Sequence, residues 1–202
     1  PRSDARLRAS VWLSDFEAGA MNTSHAASAS ATGRGGSEPS VARGDMTVVN
    51  TIDLDFFATA GIPLTRGRDF SAADRGGSLP VAIVNETLAA RYWPNQDPIG
   101  KRVRFIGEDV MRQVIGVART ANYESVGETP QPCVYLPLAQ NFTEGVVLYV
   151  RTSVADPSPV LGTVQREIRA LDAQIQARDA RTIRRVLAQA MFGATIGAGM
   201  LS

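Results

Sequence analysis

Two pairs of carboxylates, Asp53 with Asp55 and Asp69 with Asp74, are the residues whose types and spacing first offer chemistry. Paired carboxylates can bind a hard cation or divide the roles of acid and base. Each also has a simpler role open to it: Asp53 as a helix cap, Asp69 as a partner for Arg66 or Arg68, and Asp74 as a turn residue. Cys133, the one cysteine, stands between Pro132 and Val134. A reactive thiol needs an electropositive, partly open setting, and this apolar context suits a buried small side chain better. The one histidine, His25, lies in a stretch of small residues with no pattern of its own, so a nucleophilic triad has no base and zinc too few ligands. Ile99-Gly100-Lys101-Arg102 carries the Gly-Lys pair of a phosphate loop. That loop also needs glycine where Asn95 stands and serine or threonine where Arg102 stands, so no nucleotide site follows. Arg43-Gly44-Asp45 matches an adhesion tripeptide, which is short enough to recur by chance. On these grounds no catalytic, cofactor-binding or metal-binding residue is assigned.

The elements that must position these residues are organised around Pro80 to Phe105. Val81-Ala82-Ile83-Val84 predicts a buried strand, and Asn85 after it can cap a helix from Glu86 to Trp93. That helix has Leu88, Ala89, Tyr92 and Trp93 on one face and is stopped by Pro94. Asp97-Pro98-Ile99-Gly100 turns the chain into Lys101 to Phe105, where Val103 and Phe105 alternate with basic residues as in a strand with one wet face. Arg112 to Ala118 predicts the second half of a hairpin.

Before this core, Leu7 to Phe16 suits a strand or edge segment. Asn22 to Asp45, with Val41 its one large apolar residue, cannot offset its ordering entropy and predicts a mobile loop. Met46 to Ile52 is a β-branched strand. Asp53 as cap and Gly61 as terminator bracket a short helix, and Gly61 to Phe70 is extended, with Gly67 free to take a conformation closed to other residues. Ser71 to Leu79 is a polar turn. Ala121 to Gln131 is loop, and Cys133 to Pro137 is a strand that its proline confines to an edge or an end. Gly145 to Thr152 is the clearest strand of the chain. From Asp156-Pro157 to Leu171, Val160, Leu161, Val164, Ile168 and Leu171 recur at helical spacing. A short strand around Ile175 and a helix from Thr182 to Ala190 complete the reading, which is α+β.

The 202 residues are 44% hydrophobic, enough for a sizeable core, and 21 basic against 20 acidic residues leave a net charge of +1. Basic residues do not form a block interleaved with aromatics, which argues against nucleic acid as a partner. One cysteine allows no internal disulfide and leaves the redox compartment open. The start, PRSDARLRAS, lacks the apolar core of a signal peptide. Met191 to Ser202, uncharged, is either a frayed terminus or the first half of a crossing segment, since a span needs about 20 apolar residues.

Several ordered motifs resemble one family. They are Ile52-Asp53-Leu54-Asp55-Phe56-Phe57 with Gly61-Ile62-Pro63-Leu64, Arg66-Gly67-Arg68-Asp69-Phe70, Val84-Asn85-Glu86 with Tyr92-Trp93-Pro94, Asp97-Pro98-Ile99-Gly100-Lys101, Val114-Ile115-Gly116-Val117, and Val134-Tyr135-Leu136-Pro137. Together, over Met46 to Ser202, they are similar to the MacB-like periplasmic core domain of FtsX-type ABC permeases, and in particular to the large duplicated permeases of acidobacteria. The resemblance implies a porter-like α/β subdomain interrupted by an inserted mixed α/β subdomain. The porter part would take residues 1–53, with the mobile loop 22–45, and residues 141–190; the insert would be 54–140; residues 191–202 would begin a truncated transmembrane helix.

The resemblance also implies a periplasmic domain of an inner-membrane protein that is not an enzyme and needs no cofactor. It would couple transmembrane-helix movement, driven by a cytoplasmic ATPase, to a periplasmic adaptor or substrate in efflux, lipoprotein handling or mechanotransmission, with the helix from Thr182 to Ala190 as the mechanical link. A second reading is a sensory or ligand-binding domain for a lipid, peptide or antibiotic, with a groove lined by Phe56, Phe57, Tyr92 and Trp93. A third is an enzyme with an acidic site at Asp53, Asp55 and Asp69. Sequencing the parent gene past Ser202 is expected to extend the uncharged run after Met191 to about 20 apolar residues; a polar continuation would contradict the membrane reading.

Overall fold

Val81-Ala82-Ile83-Val84 becomes, with Asn85, a strand in which every residue is buried. Both faces of that strand are covered, which is the environment a continuous apolar run requires. The computed structural model describes residues 8–13, 29–32, 47–105, 108–121, 130–142, 146–175 and 180–182. Along the chain run β1 (Arg8–Leu13), β2 (Ala29–Thr32), β3 (Val48–Ile52), α1 (Phe56–Ala60), β4 (Leu64–Gly67), β5 (Val81–Asn85), α2 (Glu86–Tyr92), β6 (Arg102–Phe105), β7 (Arg112–Ala118), β8 (Cys133–Pro137), β9 (Val147–Arg151) and α3 (Ser158–Leu171). Arg8–Arg151 form one compact unit, and the chain from Thr152 onward belongs to another.

The first unit is built on one mixed sheet in the order β2-β6-β7-β5-β8-β3-β1-β9, with β4 paired to β7. Successive residues of β5 point to opposite faces, so the strand feeds two cores. Ala82 and Val84 join Leu88, Trp93, Val103, Phe105, Val114, Val134 and Leu136 on the face that α2 covers. Val81 and Ile83 join Ile52, Phe56, Phe57, Phe70, Cys133 and Tyr135 on the face that α1 covers.

Asn85 holds this centre. Its Oδ1 accepts from the backbone N–H of Leu88 at 2.9 Å and of Cys133 at 3.0 Å, while its Nδ2 donates to the Gln131 carbonyl at 2.7 Å. The cap expected for α2 is present, and the same side chain also ties the end of β5 to the start of β8. The β6–β7 hairpin is present, with β6 alternating exposed and buried residues as its pattern predicts. Where β4 pairs with β7, Gly67 stands opposite Gly116 and the chain around them leaves no room for a side chain. A Cβ on Gly67, whose φ is +71°, would stand 2.2 Å from the Ile115 carbonyl oxygen, and one on Gly116 would stand 2.5 Å from that of Arg68.

Several expectations are corrected. The first helix begins at Phe56, preceded by Asp55 at φ 64°, and no side chain caps it, so Asp53 is not its cap. Ala29–Thr32, inside the stretch expected as a loop, forms β2 against β6; edge pairing uses backbone groups that small residues supply as well as large ones. Of the two forms expected for Leu7 to Phe16, Arg8–Leu13 takes the strand, and it is not at an edge because β9 lies outside it. β8 sits in the middle of the sheet and not at an edge, and Pro137 takes the other place expected of it, the last position of the strand. Asp156 stands one residue before the helix cap and accepts from the Ser158 N–H at 3.0 Å. In α3, Val160, Leu161, Val164 and Ile168 are half-buried, but Leu171 is exposed. Ile175 is exposed and outside any strand. His25, Arg43-Gly44-Asp45, the helix after Thr182 and the uncharged end lie outside the described residues. Among the described residues no helix is long and apolar enough to cross a membrane.

The close approach of β4 and β7 at Gly67 generates a test by substitution. Gly67→Ala is expected to lower unfolding free energy by about 4 kcal/mol, the left-handed penalty plus overpacking against a carbonyl. Gly77→Ala, also at positive φ but with nothing within 4 Å of the new methyl, should cost only about 1 kcal/mol. Urea titration of both variants reads the difference, and equal losses would remove the steric account of this close approach.

Candidate functional site

Among the described residues the four aspartates do not gather into one metal-holding cluster. Asp74, nearly buried, is clasped by Arg68, with Nη1 donating to Oδ2 at 2.7 Å and Nη2 to Oδ1 at 2.8 Å. The Ser71 N–H and hydroxyl add bonds of 2.8 and 3.0 Å to the same carboxylate. The Arg68 hydrogen bonds hold the Asp74 carboxyl down at about 2. Arg68 thus pairs with the Asp74 carboxylate and gives Asp69 only a 3.0 Å bond to its backbone carbonyl, and Arg66 reaches Asp97 at 3.9 Å. Asp69 accepts from the Phe70 N–H at 2.7 Å. Partial burial pushes its carboxyl upward, and the charge of Asp55 adds to that rise. Asp69 thus carries a small influence of the Asp55 charge, while the Asp74 carboxylate is paired with its arginine. Among the described residues no group of three or more His, Cys, Asp or Glu side chains is placed to hold a metal ion.

Cys133 is buried, receives a 3.4 Å bond from Asn50 Nδ2, and has its thiol pushed up by burial to about 12. At neutral pH such a group is a thiol and not a nucleophilic thiolate. Lys101 Nζ donates to Gln96 Oε1 at 3.0 Å, and Arg102 and Arg104 line the exposed side of β6. They form the solvated face their alternation predicts. The four aromatics of the expected groove fall on opposite sides of the sheet: Phe56 and Phe57 in one core, Trp93 and the half-buried Tyr92 with the other. They share no surface.

What the fold does bring together is the path of the chain. It enters the sheet unit at Arg8 and leaves it at Arg151, and these two residues are direct partners in the β1–β9 ladder. α1 lies beside that ladder. Its Phe56 ring meets Tyr149 edge-on at 6.5 Å, and the Arg151 guanidinium lies over Gly61 so closely that a Cβ there would be 2.7 Å from Nη2. Burial raises the Tyr149 hydroxyl above its ordinary value. No periodicity marks Tyr149 or Arg151, because their partners are some 90 residues away in sequence.

A family model described as the MacB-like periplasmic core domain matches residues 2–190. The chain belongs to the MacB-like periplasmic core domain family. It is accordingly a periplasmic domain of the MacB/FtsX class of ABC permeases. Among relatives, the macrolide export ATP-binding/permease protein MacB of Rhodospirillum rubrum is 27% identical over 136 residues, 65% of this chain and 20% of that protein. The MacB of Azoarcus sp. is 29% identical over 99 residues, 49% of this chain and 14% of its own. The chain thus spans 14 to 20% of the length of the curated relatives it matches. In fold it is similar to a domain assigned to a permease protein from Porphyromonas gingivalis, with a TM-score of 0.50 at 17% identity over 89% of this chain and 81% of that one. The periplasmic region of MacB from Actinobacillus actinomycetemcomitans aligns with a TM-score of 0.49 at 16% identity, over 83% of this chain and 64% of that one.

In this MacB-like domain the Arg68–Asp74 clasp sets a pH dependence. A carboxyl held at about 2 when folded and near 3.9 when unfolded stabilises the fold above about pH 5. That contribution is lost as pH falls through 4 toward 2. Because Arg68 is half-exposed, screening limits the contribution to about 1–2 kcal/mol. Asp74→Asn should cost that amount at pH 7, with the gap to the unsubstituted chain narrowing in urea titrations toward pH 3. A gap independent of pH would show that the carboxylate charge is not what stabilises the loop.

Proposed function

We propose that this periplasmic domain couples movement of the transmembrane helices of its permease to a periplasmic partner or substrate, and has no catalytic activity of its own. The family match over residues 2–190 carries this reading. The energy would come from a cytoplasmic ATPase acting through the membrane part, and the outer partner would be an adaptor or substrate protein in efflux, lipoprotein handling or mechanotransmission. The division into a porter-like part and an insert at 54–140 belongs to the same proposal. It is supported by the way the chain leaves β3 and returns after β8 at neighbouring points, where the Leu138 N–H donates to the Ile52 carbonyl at 2.8 Å. The separation of Phe56 and Phe57 from Tyr92 and Trp93 takes away the groove on which the sensory reading relied.

The coupling role predicts motion between the two compact units. Spin labels at the exposed positions Arg104 and Arg169, in the parent permease reconstituted with its ATPase, are expected to change their distance distribution when ATP and vanadate are added. An unchanged distribution in a complex that hydrolyses ATP would overturn the coupling role.

A further inference from the structure

The backbone attaches β1 and β9 to the rest of the sheet sparingly. The two strands hold each other through a ladder from Arg8↔Arg151 to Trp12↔Val147. Against this, β1 meets β3 at Trp12↔Ile52 and Leu13↔Thr51, so that Arg8 to Val11 runs on beyond the paired part of β3. Such a ribbon has a base of two residue pairs and a free length stiffened only by its own hydrogen bonds. Isolated two-stranded ribbons are marginal in water, so something else must hold it.

That holding is done by α1. On one side its aromatic side chains are rooted in the body of the sheet: Phe57 lies edge-on to the fully buried Tyr135 of β8 at 4.9 Å, and Phe56 lies 6.2 Å from the same ring. On the other side Phe56 meets Tyr149, and Gly61 lies under Arg151. Gly61 takes a left-handed φ of +72° and its N–H bonds back to Phe57, so the helix ends where the guanidinium lies. A side chain at this position would push Arg151 away.

We propose that the β1–β9 ribbon is a lever hinged at Trp12-Leu13 and Thr51-Ile52, and that α1 is the latch holding it against the sheet body. The chain enters and leaves at the free end of this lever, at the Arg8–Arg151 pair. A displacement that moves both chain ends together moves the ribbon as one piece, and the load falls on the Phe56–Tyr149 and Gly61–Arg151 contacts. A displacement that separates the ends opens the ladder one pair at a time. Hinge motions of this kind absorb their change at a few terminal positions of elements. The use of the lever in transport rests on the coupling role proposed above, whereas the lever itself is a property of the fold.

Amide hydrogen exchange on the 202-residue chain tests it. Hydrogen-bonded amides of β1 and β9 are expected to exchange through a local opening that leaves β5, β7 and β8 protected. Tyr149→Ala, which removes the ribbon's half of the latch, should speed the ribbon amides by about tenfold, in proportion to the loss of an aromatic contact, with the body amides unchanged. Arg151→Ala removes an exposed side chain without opening a core, and should raise the ribbon rates alone by roughly threefold. Unchanged ribbon rates in both variants, or ribbon and body accelerating together in Arg151→Ala, would overturn the lever. Because exchange is read without membrane or nucleotide, failure here removes the lever and leaves the coupling role to be judged by the spin-label distances.

Discussion

The rest of the sheet unit depends on one buried amide. Asn85 is fully enclosed and spends both ends of its side chain on backbone groups of α2, β8 and the approach to β8. A net hydrogen bond contributes about 1 kcal/mol, but an unpaired buried polar group costs about 1–3 kcal/mol, so the site tolerates neither loss nor rearrangement. By fixing where α2 starts and how β8 enters beside β5, it decides which residues of each strand face which core. The face closed by α2 and the face closed by α1 are consequences of that register.

The polar groups outside this centre also bind the structure to itself. Arg112 is buried, pairs with Glu108 at 2.7 Å, reaches Asn141 at 3.4 Å and lies 4.9 Å above the Phe105 ring. Gln140 takes the Val81 N–H at 3.1 Å and returns bonds to Ser78 and Leu79 at 2.9 and 3.0 Å, fastening the loop before β5. Arg68 and Asp74 do the same at the other end of that loop. Asp74, which looked like material for a site, is thus absorbed with Arg68 in stiffening the body. The ribbon differs, with a short backbone base and an aromatic latch.

Much of this was legible in the amino-acid sequence where the signal is local. The apolar run of β5, the Asn85 cap, the wet and dry alternation of β6 and the freedom required at Gly67 each depend on residues within a few positions. The misreadings share the opposite property. Asp53 has the right chemistry for a cap, but Asp55 turns left-handed and delays the helix. Ala29, Ser30 and Ala31 carry no strand preference and are recruited, with Thr32, by the edge of β6. Arg68 had two acceptors nearby in sequence, and only the folded turn around Ser71 selects Asp74. β9 reads as the strongest strand, yet Val147 and Leu148 remain partly exposed because its place in the sheet is set by β1, at the far end of the chain.

That last pairing has a consequence for how the domain forms. Arg8 and Arg151 are about 140 residues apart, whereas β6 and β7 are joined by a short hairpin, and closure entropy rises with the length of chain enclosed. The central strands therefore have every reason to assemble first, with the β1–β9 ladder among the last pairings to close. Until β9 arrives, β1 has one edge without its partner, a template for pairing with the wrong chain. The same strands through which the finished sheet unit is entered and left are thus a point of exposure while it folds.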